Sequence, residues 1–435
     1  MLAGMTRASL RLSASRRDVL KVGGASAVTA LAAKASPSGF FSSVDDTIKI
    51  GLVGCGGRGT GAAVNALRAD DNGKLVAMND LVPDQLERSL KSIGAVQDVA
   101  NRVDVPPEKR FTGFDGFIKL LDSGIDLVVL ASPPHFRPMQ VEEAAKRGKH
   151  MFVEKPVAVD APGVRRVMAA CEMARQKGLN VVSGLCYRYH AGRRAIIERI
   201  QAGDIGRVLS LDVNYLTGEL WHRGRDPQWS EMETQCRNWL CYTWLSGDHI
   251  AEQHIHSLDV AAWILGDRYP DRAVATGGRQ MRTDPKFGNV YDHFATRYSY
   301  DDGTQVFSAC RQMAGCKNDV SDNVHGTDGH AAIFQHKLWG RRNWEWDGDG
   351  SDMYQNEHNE LLAAIRSGEP IDNSSYMCKS TLMAIMGRMS AYTGQEITWE
   401  QAWNSQELLA PKDYVMGDVD PELSRIARPG VTKFV

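Results

Sequence analysis

Long apolar runs are absent from this 435-residue chain. No stretch of about 18 uninterrupted apolar residues occurs, which argues against stable membrane insertion. A charge imbalance is missing as well. Lys and Arg number 51 against 53 Asp and Glu, net −2, and no block of like charge is long enough to neutralise a run of phosphates. That argues against a dedicated nucleic-acid binder. No cysteine pair has the C-x-x-C spacing of redox or zinc sites. The eight cysteines (Cys55, Cys171, Cys186, Cys236, Cys241, Cys310, Cys316, Cys378) therefore read as buried free thiols, with a Cys310–Cys316 bridge left open. Internal repeats and low-complexity tracts are lacking too. What is present, 43% hydrophobic and 24% charged residues, suits a globular chain. At about 150 residues per domain its length suggests two or three domains.

The near-neutral total hides an asymmetry. Residues 1–40 hold six basic side chains (Arg7, Arg11, Arg16, Arg17, Lys21, Lys34) and one acid, Asp18. The order Ser15-Arg16-Arg17-Asp18-Val19-Leu20-Lys21, a weakly apolar run from Val22 to Ala33, and the small-residue triplet Ala33-Lys34-Ala35 resembles a twin-arginine export signal over residues 1–35. The resemblance implies export to the periplasm or beyond by the twin-arginine machinery. Because that route carries folded chains, it also implies a tightly held cofactor.

From Thr47 short apolar runs alternate with helix-like segments. Ile48 to Val53, Leu75 to Met78, Ile125 to Ala131 and His150 to Val153 are apolar enough for strands buried on both faces, as in parallel sheets. The segments between them (Gly61 to Ala69, Gln85 to Ile93, Phe114 to Leu121, Met139 to Arg147) carry helical patterns. Repeated βαβ predicts an α/β fold, with a doubly wound Rossmann domain over residues 47–160. Beyond it, Val208 to Tyr215, Arg272 to Met281, Asp292 to Tyr300 and Thr304 to Met313 alternate, and Asp301-Asp302-Gly303 is a hairpin turn signal. These predict an α+β domain over 161–435 with a large, mostly antiparallel sheet, helices on one face, and C-terminal helices packing back.

Directly after the first strand stands Gly54-Cys55-Gly56-Gly57-Arg58-Gly59, a G-x-G-x-x-G opening a helix. The first glycine permits a tight turn, the second lets backbone approach a pyrophosphate, and the third lets helix and strand pack closely. The helix N-terminus offers free N–H groups to the anion. Asp80 follows Gly59 by 21 residues, at the end of the second strand, where a carboxylate would hold the ribose hydroxyls and repel a 2′-phosphate. The cofactor predicted from these residues is NAD, with NADP second.

Ser132-Pro133-Pro134-His135, followed by Gly148-Lys149-His150-Met151-Phe152-Val153-Glu154-Lys155-Pro156, resembles the glucose-fructose oxidoreductase / inositol dehydrogenase (Gfo/Idh/MocA) family. A second stretch, from Gly247-Asp248-His249 through Glu252, His254 and His256 to Asp259, resembles that family's Asp-x-x-x-His-x-x-Asp motif. Two departures stand out: Glu252 replaces the usual Asp, and Arg137 replaces a frequent His. The resemblance implies cofactor contacts from Ser132, Pro133, His135, Glu154, Lys155 and Tyr187, besides Gly54, Gly56, Gly57, Arg58, Gly59 and Asp80. It implies Lys155 close to the reacting carbon and hydroxyl.

Oxidising a secondary alcohol needs a hydride acceptor over the carbinol carbon and a base on the hydroxyl. Histidine titrates near neutrality unaided, whereas lysine needs help to do so. The favoured relay has His256 taking the proton, Lys155 polarising the oxygen and Glu252 orienting them. Substrate contacts are predicted from Lys155, Arg188 (in Tyr187-Arg188-Tyr189-His190), Trp239, His254 and His256. A metal on the histidine cluster is disfavoured, because residues two apart point about 200° apart on a helix. The resulting expectation is an exported NAD-dependent oxidoreductase of sugars, cyclitols or polyols, as a dimer or tetramer. The alternatives are an NAD-dependent glycosidase working by transient oxidation and elimination, and a non-catalytic sugar-binding module.

Overall fold

The computed structural model describes residues 46–348, 350 and 352–435; the twin-arginine segment lies outside them. Six parallel strands form the first sheet: β1 (Ile48–Val53), β2 (Gly73–Asp80), β3 (Arg110–Thr112), β4 (Leu127–Leu130), β5 (His150–Val153) and β6 (Val181–Ser183), in the order β3-β2-β1-β4-β5-β6. The connections are α1 (Gly57–Ala69), α2 (Pro83–Gly94), α3 (Gly116–Leu121), α4 (Arg137–Lys146) and α5 (Ala161–Gln176). Strand order reverses between β1 and β4, and such a switch point opens a crevice at the carboxyl ends of the strands. β1 and β4 are inside because, Lys49 apart, their side chains are apolar: Ile48, Ile50, Leu52, Leu127 and Val129 are all buried. The boundary expected at residue 160 moves. Val181–Ser183 pairs with β5, so α5 and β6 extend the parallel layer to residue 183.

After α6 (Ala191–Gln201) come β7 (Val208–Thr217), the helices α7 (Glu231–Arg237), α8 (Thr243–Ser246), α9 (His249–Glu252) and α10 (Ile255–Ile264), and then β8 (Arg272–Gly278), β9 (His293–Ser299) and β10 (Gln305–Gln312). The chain continues through β11 (Asp319–Gly326), β12 (His330–Ala332), β13 (Lys337–Trp339), β14 (Trp344–Glu345), α11 (Met353–Ser367), α12 (Ser374–Thr393), β15 (Ile397–Thr398) and α13 (Trp399–Asn404). The second sheet runs β14-β13-β12-β11-β7-β10-β9-β8-β15, antiparallel except where β10 lies parallel to β7. Asp301-Asp302-Gly303 does turn β9 into β10. Alternation sends Val306, Ser308 and Cys310 inward, against the side covered by α10 and α12, while Leu209, Val274 and Phe307 face out. Among the described residues no helix is long and apolar enough to cross a membrane.

All eight cysteines are free, and Cys310 is buried while Cys316 is exposed, so no bridge joins them. An ion cluster, buried at Arg188 and Asp259, ties the turn after β6 to α10. Arg188 donates to Asp259 through two bonds of 2.8 and 2.9 Å, and to Asp267 at 2.6 Å.

Candidate active site

The glycine loop leaves β1 at the switch point. Gly54 has φ +93°, and a Cβ on it would sit 2.3 Å from the Ser132 amide nitrogen, so only glycine fits. A Cβ on Gly59 would lie 1.9 Å from the Gly54 carbonyl oxygen, which fixes how closely α1 packs on the loop. Gly56 and Gly57, by contrast, have open space before them. Both line a cavity of about 390 Å³ together with Arg58, Asp80, Ser132 and Pro133. The unsatisfied N–H groups at the start of α1 make this an anion-binding end.

Asp80, at the tip of β2, accepts from the Cys55 N–H at 2.7 Å and the Val82 N–H at 3.1 Å; burial raises its pKa. Arg58 spends its charge internally. It lies 2.5 Å from Glu154 and 3.1 Å from Glu357, over the ring of Tyr354 at 4.7 Å.

Beyond β5, the Lys155 ammonium donates to the backbone carbonyl of Glu252 and sits 3.2 Å from that residue's carboxylate. His256, in the first turn of α10, stacks on Tyr187 with ring centroids 4.7 Å apart. Burial first, and then the charges of Lys155 and Arg193, push the imidazole pKa well down, so the ring is neutral. Lys155, Glu252, His256 and Tyr187 thus meet, drawn from four separate elements.

Four side chains named from sequence do not join them. His135 is turned into an aromatic cluster, bonded to the Tyr414 hydroxyl at 2.8 Å, where burial lowers its pKa to about 3. Arg188 is committed to Asp259 and Asp267. His254 is fully buried beneath the second sheet and bonded to Ser308 Oγ at 2.7 Å. Trp239 lines the glycine-loop cavity instead of standing beside Lys155. Among the described residues no group of three or more His, Cys, Asp or Glu is arranged to hold a metal ion.

The structure adds residues that sequence reasoning missed. Tyr215 on β7 interacts electrostatically with both Lys155 and Glu252. Arg193 lies 3.6 Å over the Tyr187 ring. Asp322 on β11 is 1% exposed, and burial pushes its carboxyl pKa up to about 7; Ser257 and Arg193 pull it down without cancelling the rise, and Asp212 adds to it. Glu357 comes from α11, just over two hundred residues after Glu154.

The Gfo/Idh/MocA oxidoreductase family, with its NAD-binding Rossmann fold, matches residues 48–184, and the Gfo/Idh/MocA C-terminal domain matches residues 194–332. The chain belongs to this family. Among curated relatives it is similar to an inositol 2-dehydrogenase of Ralstonia nicotianae, 30% identical over 52% of this chain and 57% of the relative. It is also similar to the 2,7-anhydro-N-acetylneuraminate hydratase of Escherichia coli K12, 28% identical over 46% of this chain and 50% of the relative. The matched region thus spans about half the length of these relatives. The fold is that of the aldose-aldose oxidoreductase of Caulobacter crescentus (TM-score 0.62, 19% identity, 81% of this chain and 99% of that one). It is also that of a levoglucosan dehydrogenase solved with NADH and levoglucosan (TM-score 0.61, 17% identity, 81% and 99%).

Two predictions follow from the geometry. Gly56→Ala places a methyl in the space a pyrophosphate would take, so calorimetry should show lost dinucleotide binding with thermal stability near wild type. Gly59→Ala should lower stability itself, because its methyl meets backbone.

The second concerns Asp322. The folded state keeps a proton that the unfolded chain releases near pH 4, so this group lowers stability as pH rises from about 4 to about 7. Denaturant titrations should show Asp322→Asn gaining on wild type by roughly 1 kcal/mol per pH unit across that window, with no further gain above it. Parallel pH profiles for the two proteins would refute this.

Proposed function

We propose that the protein is an NAD-dependent oxidoreductase that passes hydride between its dinucleotide and a secondary hydroxyl of a sugar, cyclitol or related polyol. The observation that carries this reading is the meeting of Lys155, Glu252 and His256 at the segment that Glu154 ties, through Arg58, to the glycine-loop cavity. The activities of the relatives, inositol and sugar dehydrogenases among them, support the substrate class. Bound nicotinamide supplies the hydride acceptor. Gly54, Gly56, Gly57, Gly59, Ser132 and Pro133 would hold the dinucleotide, and the Asp80 carboxylate favours NAD over NADP by repelling a 2′-phosphate.

The remaining roles belong to the side chains around Lys155. The lysine carries a positive charge toward the substrate oxygen and stabilises negative charge as the proton leaves. Glu252 fixes that ammonium through both its carboxylate and its backbone carbonyl. His256 is neutral and so able to accept a proton, and the surroundings that keep it neutral also make it return the proton readily. Tyr187 holds the imidazole plane by stacking.

The Arg16-Arg17 segment supports export with the cofactor already in place. The outward side chains Leu209, Val274 and Phe307 on the second sheet support self-association.

Lys155→Ala and His256→Ala should each slow single-turnover reduction of bound NAD by roughly two to four decades while dinucleotide binding stays near wild type. Glu252→Gln should cost less, since it keeps the length and the carbonyl. Wild-type turnover by both alanine variants would place the chemistry elsewhere. For export, replacing Arg16 and Arg17 together with lysine should leave folded protein in the cytoplasm, scored by cell fractionation; unchanged export would remove that part of the proposal.

A further inference from the structure

The stretch between β7 and α8 belongs by sequence to the second domain, yet it forms one wall of the glycine-loop cavity. Trp221, Arg223, Arg237 and Trp239 line that cavity opposite Gly56 and Asp80. The two indoles meet edge to face with centroids 6.4 Å apart, and the Arg223 guanidinium lies 4.6 Å over the Trp221 ring. The stretch is held in two places. Asn238, 1% exposed, accepts from the Arg223 N–H at 2.8 Å and donates to the Gly224 carbonyl at 2.9 Å, which ties the loop to the end of α7. Arg237 then reaches across to Asp84, in the first turn of α2, at 2.7 Å. Among the described residues Arg223 takes part in no ion pair, so its charge is free to face the cavity.

We infer that this stretch is a clasp over the adenosine end of the dinucleotide, with Trp221 and Trp239 as its aromatic contacts, Arg223 as its cation and the Arg237–Asp84 pair as its latch. The inference rests on the dinucleotide reading proposed above and gives the tightly held cofactor expected from the sequence a structural cause. The side of the cavity is set by its other walls. Asp80 ends β2, Leu81 follows it and Phe114 comes after β3, in the half of a Rossmann sheet that takes the adenosine. Indole faces suit a purine, since base and aromatic side chain stack irrespective of sequence. An unpaired guanidinium suits the phosphates beside it. Trp221 is 42% exposed and Asp84 is also on the surface, so neither is needed for the core.

The test is the dissociation rate of NADH from the full chain, followed by the nicotinamide's own fluorescence after mixing with excess NAD. Trp221→Ala should release NADH about tenfold or more faster than wild type, within the range that loss of one base-stacking aromatic produces. Asp84→Asn breaks the latch but leaves the cavity lining intact, and should speed association and dissociation together by several-fold. Native mass spectrometry of the purified proteins should find dinucleotide retained by wild type and depleted in Trp221→Ala. Release at the wild-type rate from both variants overturns the clasp while leaving the dinucleotide reading in place. Failure of wild type to bind NADH at all overturns both.

Discussion

Arg58 is the residue on which two otherwise separate parts of the site depend. Its guanidinium lies between Glu154, which immediately precedes Lys155, and Glu357 on α11. Glu154 also accepts from the Lys155 backbone N–H at 3.2 Å. It occupies the space beside Gly184, where a Cβ would come within 2.8 Å of its carboxyl carbon. One cation therefore orients the glycine loop, the segment that carries Lys155 and a C-terminal helix. Two carboxylates against one guanidinium leave a surplus of negative charge. The structure relieves it by burying Glu357 so far that its pKa is raised, first by desolvation and then by Glu154. The consequence for binding is that Arg58 brings little free charge to a pyrophosphate. That work falls to the backbone N–H groups of α1 and, on the inference above, to Arg223.

The two departures from the family motif have physical explanations in the contacts they make. Glu252 is one methylene longer than Asp, yet its carboxylate and its backbone carbonyl both engage the Lys155 ammonium. The added reach is absorbed by placing the residue at the end of α9, where its carbonyl is unsatisfied by the helix. Arg137 is buried and donates to the carbonyls of Pro156 at 2.6 Å and Ser132 at 2.7 Å. It staples the loop after β4 to the loop after β5. A guanidinium fork can bridge two carbonyls held in fixed directions, which a neutral imidazole with one N–H cannot do.

How much of this could be read from sequence depended on whether the signal was local. β1 and β5 were legible to the residue because, Lys49 and His150 apart, their runs are apolar and buried on both faces. The positions of the glycine loop, Asp80 and Lys155 at strand ends were legible because short spacing fixes them. β11 was missed because Asp319–Gly326 is polar along almost its whole length. It is a strand only because β7 offers it a ladder and because Val324 and Asp322 turn inward. Asp322, Tyr215 and Glu357 reach the site through sheet pairing and helix return, which local patterns do not encode. His135, Arg188 and His254 were misassigned for a related reason. A polar residue next to a motif looks functional until its burial and partner are known, and here Tyr414, Asp259 and Ser308 are those partners.

The proposed clasp and the proposed chemistry constrain each other. If the adenosine end is closed by Trp221 and Trp239, a polyol and its oxidised product must use the other end, where Lys155 and His256 stand. A resident dinucleotide reduced by one substrate can then be reoxidised only by a second one entering the same space after the first product has left. Both half-reactions would use Lys155 on the same oxygen and His256 on the same proton, in opposite directions. That requires a proton acceptor whose affinity for the proton is balanced against that of the substrate oxygen. Burial and the Lys155 ammonium keep the His256 imidazole neutral, so it enters the oxidation as an acceptor. If the chain is exported as proposed, it meets little free dinucleotide, and running the two half-reactions on one bound cofactor is what would allow repeated turnover.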